Sequence, residues 1–573
     1  MTQALAQSFF IHKLIVAFAD DIKQKHGREG EKAMLFPSAN AARRCLDFVK
    51  ARDPTVKASQ LRIINLVLDP DRITTKTLRK LRPSVSAIFL PKDSFHLAKE
   101  YWQHSGDGIS SRRAEFCHGL FQKGLLVDET ALKLTENGEQ RFCKGPKRYQ
   151  RGSSMDKTPC APESHESHES KPAVSAEQPV INGNAENRES SQFVEERFGR
   201  NLDVLFVDNA KSAIRRRIAG SLTEVVDLTS PLNAEMERSI RGVANLSEKD
   251  VYLYPCGMNS IFNVHQVLLE TRGSMKSIMF GFPYVDTYKV LEKFGPGCLF
   301  YGHGSAEELD DLEQRLKRGE RYLALFCEFP GNPLLKSPDL KRIKVMGEKY
   351  DFAVVVDETI GNFINVHVLP HSDIVVSSLT KVFTGECNVM GGCAILNPYG
   401  QYYKALKEVF VKRYEDNYWA EDVIFMERNS RDFVSRIERI NRNAEVICDV
   451  LGTHTAVKAV YYPKLVSSRT YYDTCRTENG GYGGLLSVTF HTKEQAVEFF
   501  DHIQTAKGPS LGTNFTLVSP YVVLAHYSEL EWAASFGVEP DLIRISVGLE
   551  ETQELRTIFL KALKAAENCG KVL

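Results

Sequence analysis

The sequence predicts an α/β fold in which a mostly parallel sheet is covered by helices, with a smaller C-terminal α+β domain and an extra N-terminal α/β region. Two observations support this prediction. After about residue 193, apolar runs such as FAVVVDE and DIVVSS recur between helical stretches. They do not alternate strictly with polar residues, which is typical of parallel strands buried on both faces. Changes in composition and in the order of helix-like and strand-like pieces separate the N-terminal region and the C-terminal domain from this sheet.

Four segments follow from these changes of pattern. Residues 1–148 alternate helix-like pieces (AARRCLDFVKA) with strand-like pieces (LRIINLVLD), which predicts the N-terminal α/β region. Residues 149–192 are rich in Ser, Pro, Glu and Asn, so we expect a disordered linker there. Residues 193–440 carry the strands of the large domain. Residues 441–573, with LLSVTFH and LIRISVG between helices, form the predicted small domain.

Composition excludes several classes of protein. The 573 residues contain 73 Lys and Arg against 73 Asp and Glu, so no net charge favours nucleic acid or an anionic membrane as a partner. No run of about 18 uncharged apolar residues predicts a membrane span, and the N-terminus lacks the basic region of a signal peptide. The 12 cysteines form no CxxC pair. We therefore expect a cytoplasmic protein without a disulfide framework or a metal site.

Two charged residues stand where predicted buried strands end. Lys381 follows DIVVSS in the stretch SSLTKVFTGECNVMGG, and Asp357 ends VVVDE. Taken alone, the lysine has the ordinary interpretation of a solvated loop cation, and the aspartate that of a capping or turn residue. Ligands of open α/β sheets, however, gather at the carboxyl ends of the strands. An aspartate there can pair with a protonated ring nitrogen.

Polar and flexible residues accompany this pair. In YLYPCGMNSIFNVHQVLL a strand passes through Gly257 and Met258 into a helix, so their backbone N–H groups can bind an anion. Asn332 lies in the rigid turn GNP, and the hydroxyls of Ser378 and Thr380 can donate to a phosphate. A phosphate cradle, an acid for a ring nitrogen and a lysine amine for a carbonyl are what pyridoxal 5′-phosphate requires of a protein.

In this order, the motifs resemble the trans-sulfuration family of fold-type I pyridoxal phosphate enzymes. The matching pieces are CGM, GNP, VVVDETI, SSLTK, VMGG and LIRISVGLE, and the resemblance covers residues 193–573. The chain is most similar to the fungal-type cystathionine γ-synthases, which carry an extra N-terminal region, and pieces such as AIRRRIAG and KAMLFPS share that likeness. The resemblance implies the fold-type I transferase fold and pyridoxal phosphate as cofactor.

The resemblance also implies roles for matching positions. Lys381 resembles the lysine that bonds the cofactor aldehyde, Asp357 the partner of the pyridine nitrogen and Asn332 the residue near the ring hydroxyl. The phosphate binders correspond to Gly257, Met258, Ser378 and Thr380.

Three further positions follow from the resemblance alone. Tyr284 in FPYVDTYK resembles the tyrosine that stacks on the cofactor ring, and the resemblance implies that Tyr284, like Lys381, is a catalytic residue. The alternative interpretation of Tyr284 is an aromatic side chain of the core. Arg544 resembles the arginine that binds the substrate α-carboxylate, and Ser510 a neighbouring substrate-side residue. The family supplies Tyr-x-Arg to the phosphate of a neighbouring subunit. Here Arg200 is retained but Phe198 replaces the tyrosine, which predicts a homodimer or homotetramer with shared sites.

The sequence is compatible with three functions. The first is γ-replacement on an O-acylhomoserine, as a rule O-acetylhomoserine, with cysteine to give cystathionine for methionine biosynthesis. The second is the homologous substitution with a carbon, nitrogen or sulfide nucleophile in specialised metabolism, which Phe198 favours. The third is a catalytically retired homologue acting as an interaction protein. Retention of Lys381, Asp357 and Arg544 argues against the third, because a binding protein needs no such combination.

Overall fold

The computed structural model describes residues 10–73, 75–136, 204–222 and 239–569. The chain divides into two compact units, Met1–Asp128 with Val204–Leu573, and Glu129–Asp203. Within the second unit, the described part is the helix α6, Glu129–Glu136. Among the described residues, no helix combines the length and the apolar character needed to cross a bilayer.

The N-terminal region of the first unit is built on a four-stranded sheet. Its order is β1-β3-β2-β4, and every pair in it is antiparallel. The sequence predicted helices and strands here, but the direction of pairing depends on contacts between distant segments. The elements are β1 Glu31–Phe36, β2 Arg62–Leu68, β3 Ser84–Pro91 and β4 Leu126–Asp128, with the helices α1 Lys13–His26, α2 Ala39–Arg52, α3 Lys76–Leu81, α4 Phe95–Ser105 and α5 Ser111–Gln122.

The large domain contains a seven-stranded sheet of order β5-β11-β10-β9-β8-β6-β7. Its strands are β5 Val251–Tyr254, β6 Ser277–Phe280, β7 Cys298–Tyr301, β8 Ala324–Glu328, β9 Ala353–Asp357, β10 Ile374–Ser378 and β11 Gly392–Leu396. All pairs are parallel except those of β11 with β10 and β5. Every residue of β5, β6, β8 and β11 is buried. Since successive side chains point to opposite faces, both faces are covered, which confirms the predicted sheet.

The helices of the large domain connect and cover these strands. They are α7 Val207–Ile218, α8 Gly257–Arg272, α9 Val285–Lys293, α10 Ala306–Lys317, α11 Leu340–Tyr350, α12 Asn362–Asn365, α13 Tyr403–Arg413 and α14 Ala420–Asn429. Helix α8 has apolar residues around most of its circumference because it packs against the sheet and against the N-terminal region.

A five-stranded sheet organises the C-terminal part, in the order β12-β13-β16-β15-β14. Only β14 and β15 pair in parallel within it. The strands are β12 Val457–Tyr461, β13 Leu485–Phe490, β14 Ala506–Lys507, β15 Leu517–Ser519 and β16 Ile543–Ser546. The helices are α15 Phe433–Gly452, α16 Arg469–Cys475, α17 Lys493–His502, α18 Tyr521–Ala525, α19 Leu530–Ser535 and α20 Thr552–Asn568.

One hydrophobic core joins the N-terminal region to the large domain. Tyr101 of α4 lies edge to face with Phe262 of α8, with ring centroids 6.0 Å apart, and Phe48 of α2 stacks on Phe294 at 5.0 Å. The same buried cluster contains Phe36 of β1. The N-terminal region is therefore packed into the large domain. The four domain boundaries stay predictions, and the linker at 149–192 lies outside the described residues.

Candidate active site

Several of the predicted site residues lie at the carboxyl edge of the parallel strands. Asp357 ends β9, Lys381 follows the end of β10 by three residues, and Asn332 follows β8. Glu328, the last residue of β8, lies directly opposite Asp357 in the parallel pair. The edge therefore holds two carboxylates, a lysine and an amide, which places it among the usual ligand sites of such sheets.

Lys381 lies within reach of the C-terminal part. Its Nζ donates to Oγ of Ser510 at 3.3 Å. Burial, with a smaller contribution from the Arg544 guanidinium, lowers the pKa of the Lys381 ammonium to about 8. Because the ordinary pKa of a lysine is 10.5, this amine is far more readily available in its neutral, nucleophilic form.

The Asp357 carboxylate is held by the next turn. Its Oδ1 accepts from the backbone N of Thr359 at 2.9 Å and from Oγ1 of Thr359 at 2.6 Å. The Thr359 hydroxyl also accepts from the backbone N of Ser378 at 2.8 Å, which joins the ends of β9 and β10. Burial raises the pKa of Asp357, and the two Thr359 hydrogen bonds oppose that rise. A positive charge beside it would stabilise the carboxylate further.

Helix α8 begins at Gly257, directly against the end of β10. A Cβ atom at Gly257 would lie 2.7 Å from Cβ and 3.0 Å from Oγ of Ser378, and one at Gly392 would overlap the Cys256 carbonyl. Only glycine permits this approach. The first backbone N–H groups of a helix have no partner within it, so those of Gly257 and Met258 are suited to an anion.

Thr380, the other predicted hydroxyl, bonds within its own loop. Its Oγ1 accepts from the backbone N of Gly391 at 3.1 Å and lies 3.3 Å from the Gly391 carbonyl, to which it can donate. These contacts close the loop between Lys381 and β11. A phosphate contact by Thr380 stays a prediction.

Arg544 of β16 is buried beside Asn332 and Ser510. Its guanidinium donates to Oδ1 of Asn332 at 3.1 Å and to the carbonyls of Pro509 and Ser510 at 2.5 and 2.9 Å. The group lies 4.2 Å from the ring centroid of Tyr521, whose hydroxyl accepts from Nδ2 of Asn332 at 2.8 Å. Burial lowers the pKa of Arg544 to about 10, so the side chain remains a cation at neutral pH.

Glu328 connects Tyr284 with Asn332. Its carboxylate accepts from the backbone N of Tyr284 and, at 3.1 Å, from the backbone N of Asn332. Burial, followed by the charge of Asp357, raises the pKa of Glu328 to about 8. Tyr284 immediately precedes α9, and its phenol has a pKa well above the ordinary value because of burial and the carboxylate of Asp286.

The described residues thus join Lys381, Ser510, Arg544, Asn332 and Tyr284 in one connected set, with Asp357 and the Gly257 turn at the neighbouring strand ends. Arg200 and Phe198 lie outside the described residues. Three residues that contact the predicted site residues were not predicted from the sequence, namely Glu328, Thr359 and Tyr521. Glu328 could have been found, because the acid ending ALFCE mirrors the acid ending AVVVD.

Two family models match the sequence. "Cys/Met metabolism PLP-dependent enzyme" covers residues 226–564, and "Fungal trans-sulfuration enzyme, N-terminal domain" covers residues 14–110. The chain belongs to the Cys/Met metabolism PLP-dependent enzymes. The predicted fold-type I class, the predicted family and its cofactor are therefore confirmed.

Similar proteins agree with this membership. Cystathionine gamma-synthase of Neurospora crassa is 56% identical, over 98% of this chain and 91% of its own length. "Cystathionine gamma-synthase-like enzyme iboG2" of Amanita muscaria is 40% identical over 97% and 90%. Among solved structures, cystathionine gamma-lyase from yeast matches 63% of this chain and 98% of its own, with a TM-score of 0.50 and 22% identity. That structural match shows that the family's fold is shared.

Proposed function

We propose that this member of the family catalyses γ-replacement on O-acetylhomoserine, with cysteine as nucleophile, to give cystathionine and acetate. The observation that carries the proposal is the connected set in which the amine of Lys381, with a pKa near 8, reaches Arg544 through Ser510. Similarity over nearly the whole chain to a protein named cystathionine gamma-synthase supports the choice of reaction.

Pyridoxal phosphate fits the described residues at three points. The Gly257 turn leaves no room for a Cβ and offers helix N–H groups to a phosphate. Asp357 offers a carboxylate to a ring nitrogen, and Lys381 an amine to an aldehyde. When bound, the cofactor supplies that aldehyde and a ring that withdraws electrons from the substrate's α-carbon. Tyr284 is the proposed ring neighbour, supported by the Glu328 carboxylate that fixes its backbone.

In this proposal, Lys381 moves the protons. It takes a proton from the substrate's α-carbon, passes that proton on to the bound cofactor, and then takes one from the β-carbon, after which the bond between the γ-carbon and the acyl oxygen breaks and acetate leaves. The cysteine thiol then loses its proton, which leaves in balance with the acetate anion, as its sulfur bonds to the γ-carbon. Lys381 returns protons to the β- and α-carbons. The lowered pKa supports this role, because a base works best when its pKa is near the working pH.

Arg544 is the proposed binder of the substrate's α-carboxylate. Its guanidinium is buried and held by three oxygen acceptors, those of Asn332, Pro509 and Ser510. A rigid planar fork of this kind matches a carboxylate better than an ammonium does. Ser510 is the proposed substrate-side neighbour, supported by its contact with Lys381.

The test is a nucleophile panel. Purified protein is incubated with O-acetylhomoserine and, in separate reactions, cysteine, sulfide, an amine and a carbon nucleophile, and products are identified by mass spectrometry. We expect cystathionine from cysteine at the highest rate, and none from Lys381→Ala. Faster product formation with another nucleophile would favour the specialised-metabolism alternative. Absence of any product with every nucleophile would favour the retired homologue.

We also propose that the protein works in the cytoplasm as a homodimer or homotetramer, with Arg200 of one subunit serving the phosphate of its neighbour. Hybrids of Arg200→Ala and Lys381→Ala subunits then contain one site with both residues intact. Partial recovery of activity after subunit exchange is the expected result. No recovery despite proven exchange would place Arg200 outside the neighbouring site.

A further inference from the structure

A short segment of the N-terminal region rests on the first turn of α8. This segment, residues 104–107, comprises the last two residues of α4 and the two residues that follow the helix, and is called the buttress loop. Gly106, with a φ of 65°, lies so close that a Cβ there would be 2.6 Å from Sγ of Cys256 and 2.8 Å from the backbone N of Asn259. The backbone of the buttress loop therefore lies directly against the turn whose N–H groups are the proposed phosphate binders.

A buried hydrogen bond fixes this contact. Nδ2 of Asn259, the third residue of α8, donates to Oδ1 of Asp107 at 2.8 Å and to the Ser105 carbonyl at 3.1 Å. The other carboxylate oxygen of Asp107 accepts from Arg44 at 2.8 Å and from the Tyr101 hydroxyl at 2.6 Å. Asp107 therefore ties the start of α8 to the core of the N-terminal region. A buried carboxylate with all these partners is rigid.

The buttress loop also contacts a second segment of the candidate site. Nδ1 of His104 lies 3.0 Å from Oδ1 of Asp286, and both side chains are buried. Asp286 is two residues after Tyr284 and contributes to the raised pKa of that phenol. The buttress loop thus contacts both the phosphate turn and the segment that carries the proposed ring-stacking tyrosine.

We infer that Asp107, acting through Asn259, is a positioning residue for the cofactor's phosphate site, so that the N-terminal region forms part of the active-site framework. The inference rests on the proposed function, since it assumes a phosphate at the Gly257 turn. Positioning groups behind a binding site affect affinity although they do not touch the ligand.

The test is a double-mutant cycle on the full chain. Asp107→Ala, Asn259→Ala and the double variant are freed of cofactor, and the Kd for pyridoxal phosphate is measured by visible absorbance. We expect each single change to weaken binding about tenfold, because a buried polar group loses its partner. The double variant should bind no more weakly than the weaker single variant, because both changes break one interaction.

Two further variants separate positioning from general damage. Asp107→Asn keeps an oxygen for Asn259, so affinity should recover to within about threefold of the wild type. Lys80→Ala removes the ion pair between α3 of the N-terminal region and Asp208 of α7, which does not involve the buttress loop, and should leave Kd unchanged. Asn259→Ala leaves Arg44 and Tyr101 bonded to Asp107, so it carries the test alone if Asp107→Ala does not fold.

The outcomes are distinct. Wild-type protein that binds no pyridoxal phosphate would overturn the proposed function and the inference together. Wild-type binding and turnover with unchanged Kd in Asn259→Ala would overturn the inference alone. If the losses of the two single variants add in the double variant, or if Lys80→Ala weakens binding equally, the interface as a whole has loosened, and this would also overturn the inference.

Discussion

The two ends of the candidate site are built from different groups. The glycine end (Gly257, Gly392 and Ser378) is made of backbone in close approach, whereas the arginine end (Arg544, Asn332 and Tyr521) is made of buried side chains bonded to one another. The first end depends on shape, because one added carbon overlaps a neighbour. The second depends on charge and hydrogen bonds, because the cation needs its acceptors. Mutations should therefore separate cofactor binding from substrate binding.

Lys381 lies between the two ends, and its loss should have the largest effect. Lys381→Ala removes both the amine and the proposed base, so kcat should fall by about 10³-fold or more. Steady-state kinetics measure the loss, and Lys336→Ala, an exposed lysine, is the matched control. Borohydride reduction followed by peptide mapping should find the cofactor on Lys381. Attachment to a different lysine would contradict the assignment of the whole site.

Arg544→Lys tests the arginine end alone. A point charge replaces a fork, so KM for O-acetylhomoserine should rise about 10- to 100-fold while Kd for pyridoxal phosphate stays unchanged. Arg556→Lys, an exposed arginine on α20, serves as the control. Weaker cofactor binding with an unchanged KM would mean that the arginine end binds the cofactor and not the substrate.

Sequence reasoning predicted the glycine end and the strand-end charges because their signals are local. Asp357 and Lys381 each follow a buried strand, and parallel strands bring their carboxyl ends to one edge. Arg544 and Ser510 became candidates only through the family resemblance, since nothing in LIRISVG or PSLGT points to a site by itself.

What could not be predicted depends on contacts between distant segments. Tyr521 reaches Asn332 across 189 positions of the chain, and Asn259 reaches Asp107 across 152. The antiparallel pairing of the N-terminal sheet is of the same kind. A pattern of helices and strands gives the elements, but their partners depend on packing that only the folded chain reveals.

Gly257→Ala tests the glycine end alone, with a smaller effect. The new Cβ, 2.7 Å from Cβ of Ser378, should push α8 away from β10 and weaken cofactor binding about tenfold, with KM for the amino acid unchanged at saturating cofactor. Gly452→Ala is the control, because its Cβ meets nothing within 4 Å. An equal rise in KM would show that the two ends are coupled.

The smallest expected effect concerns Glu328, which joins Asn332 of the arginine end to Tyr284. Its folded-state pKa is near 8 against an ordinary 4.5, so between these values the unfolded chain releases a proton that the folded chain keeps. The contribution of protonated Glu328 to the free energy of unfolding is therefore complete below about pH 4.5 and is lost as the pH rises to about 8.

The contribution of Lys381 to stability changes with pH in the opposite direction and over a different pH range. Its folded-state pKa is lowered from 10.5 to about 8, so its contribution is complete above 10.5 and is lost as the pH falls through 8. In cofactor-free protein, the thermal midpoint of Glu328→Gln should therefore fall by a few degrees less between pH 5 and 8 than that of the wild type. Above pH 8, the two profiles should have the same shape. Thermal scans across pH 5–10 measure both windows. An unchanged slope below pH 8 would mean that Glu328 is ionised in the folded protein, held by its two backbone N–H donors despite burial beside Asp357.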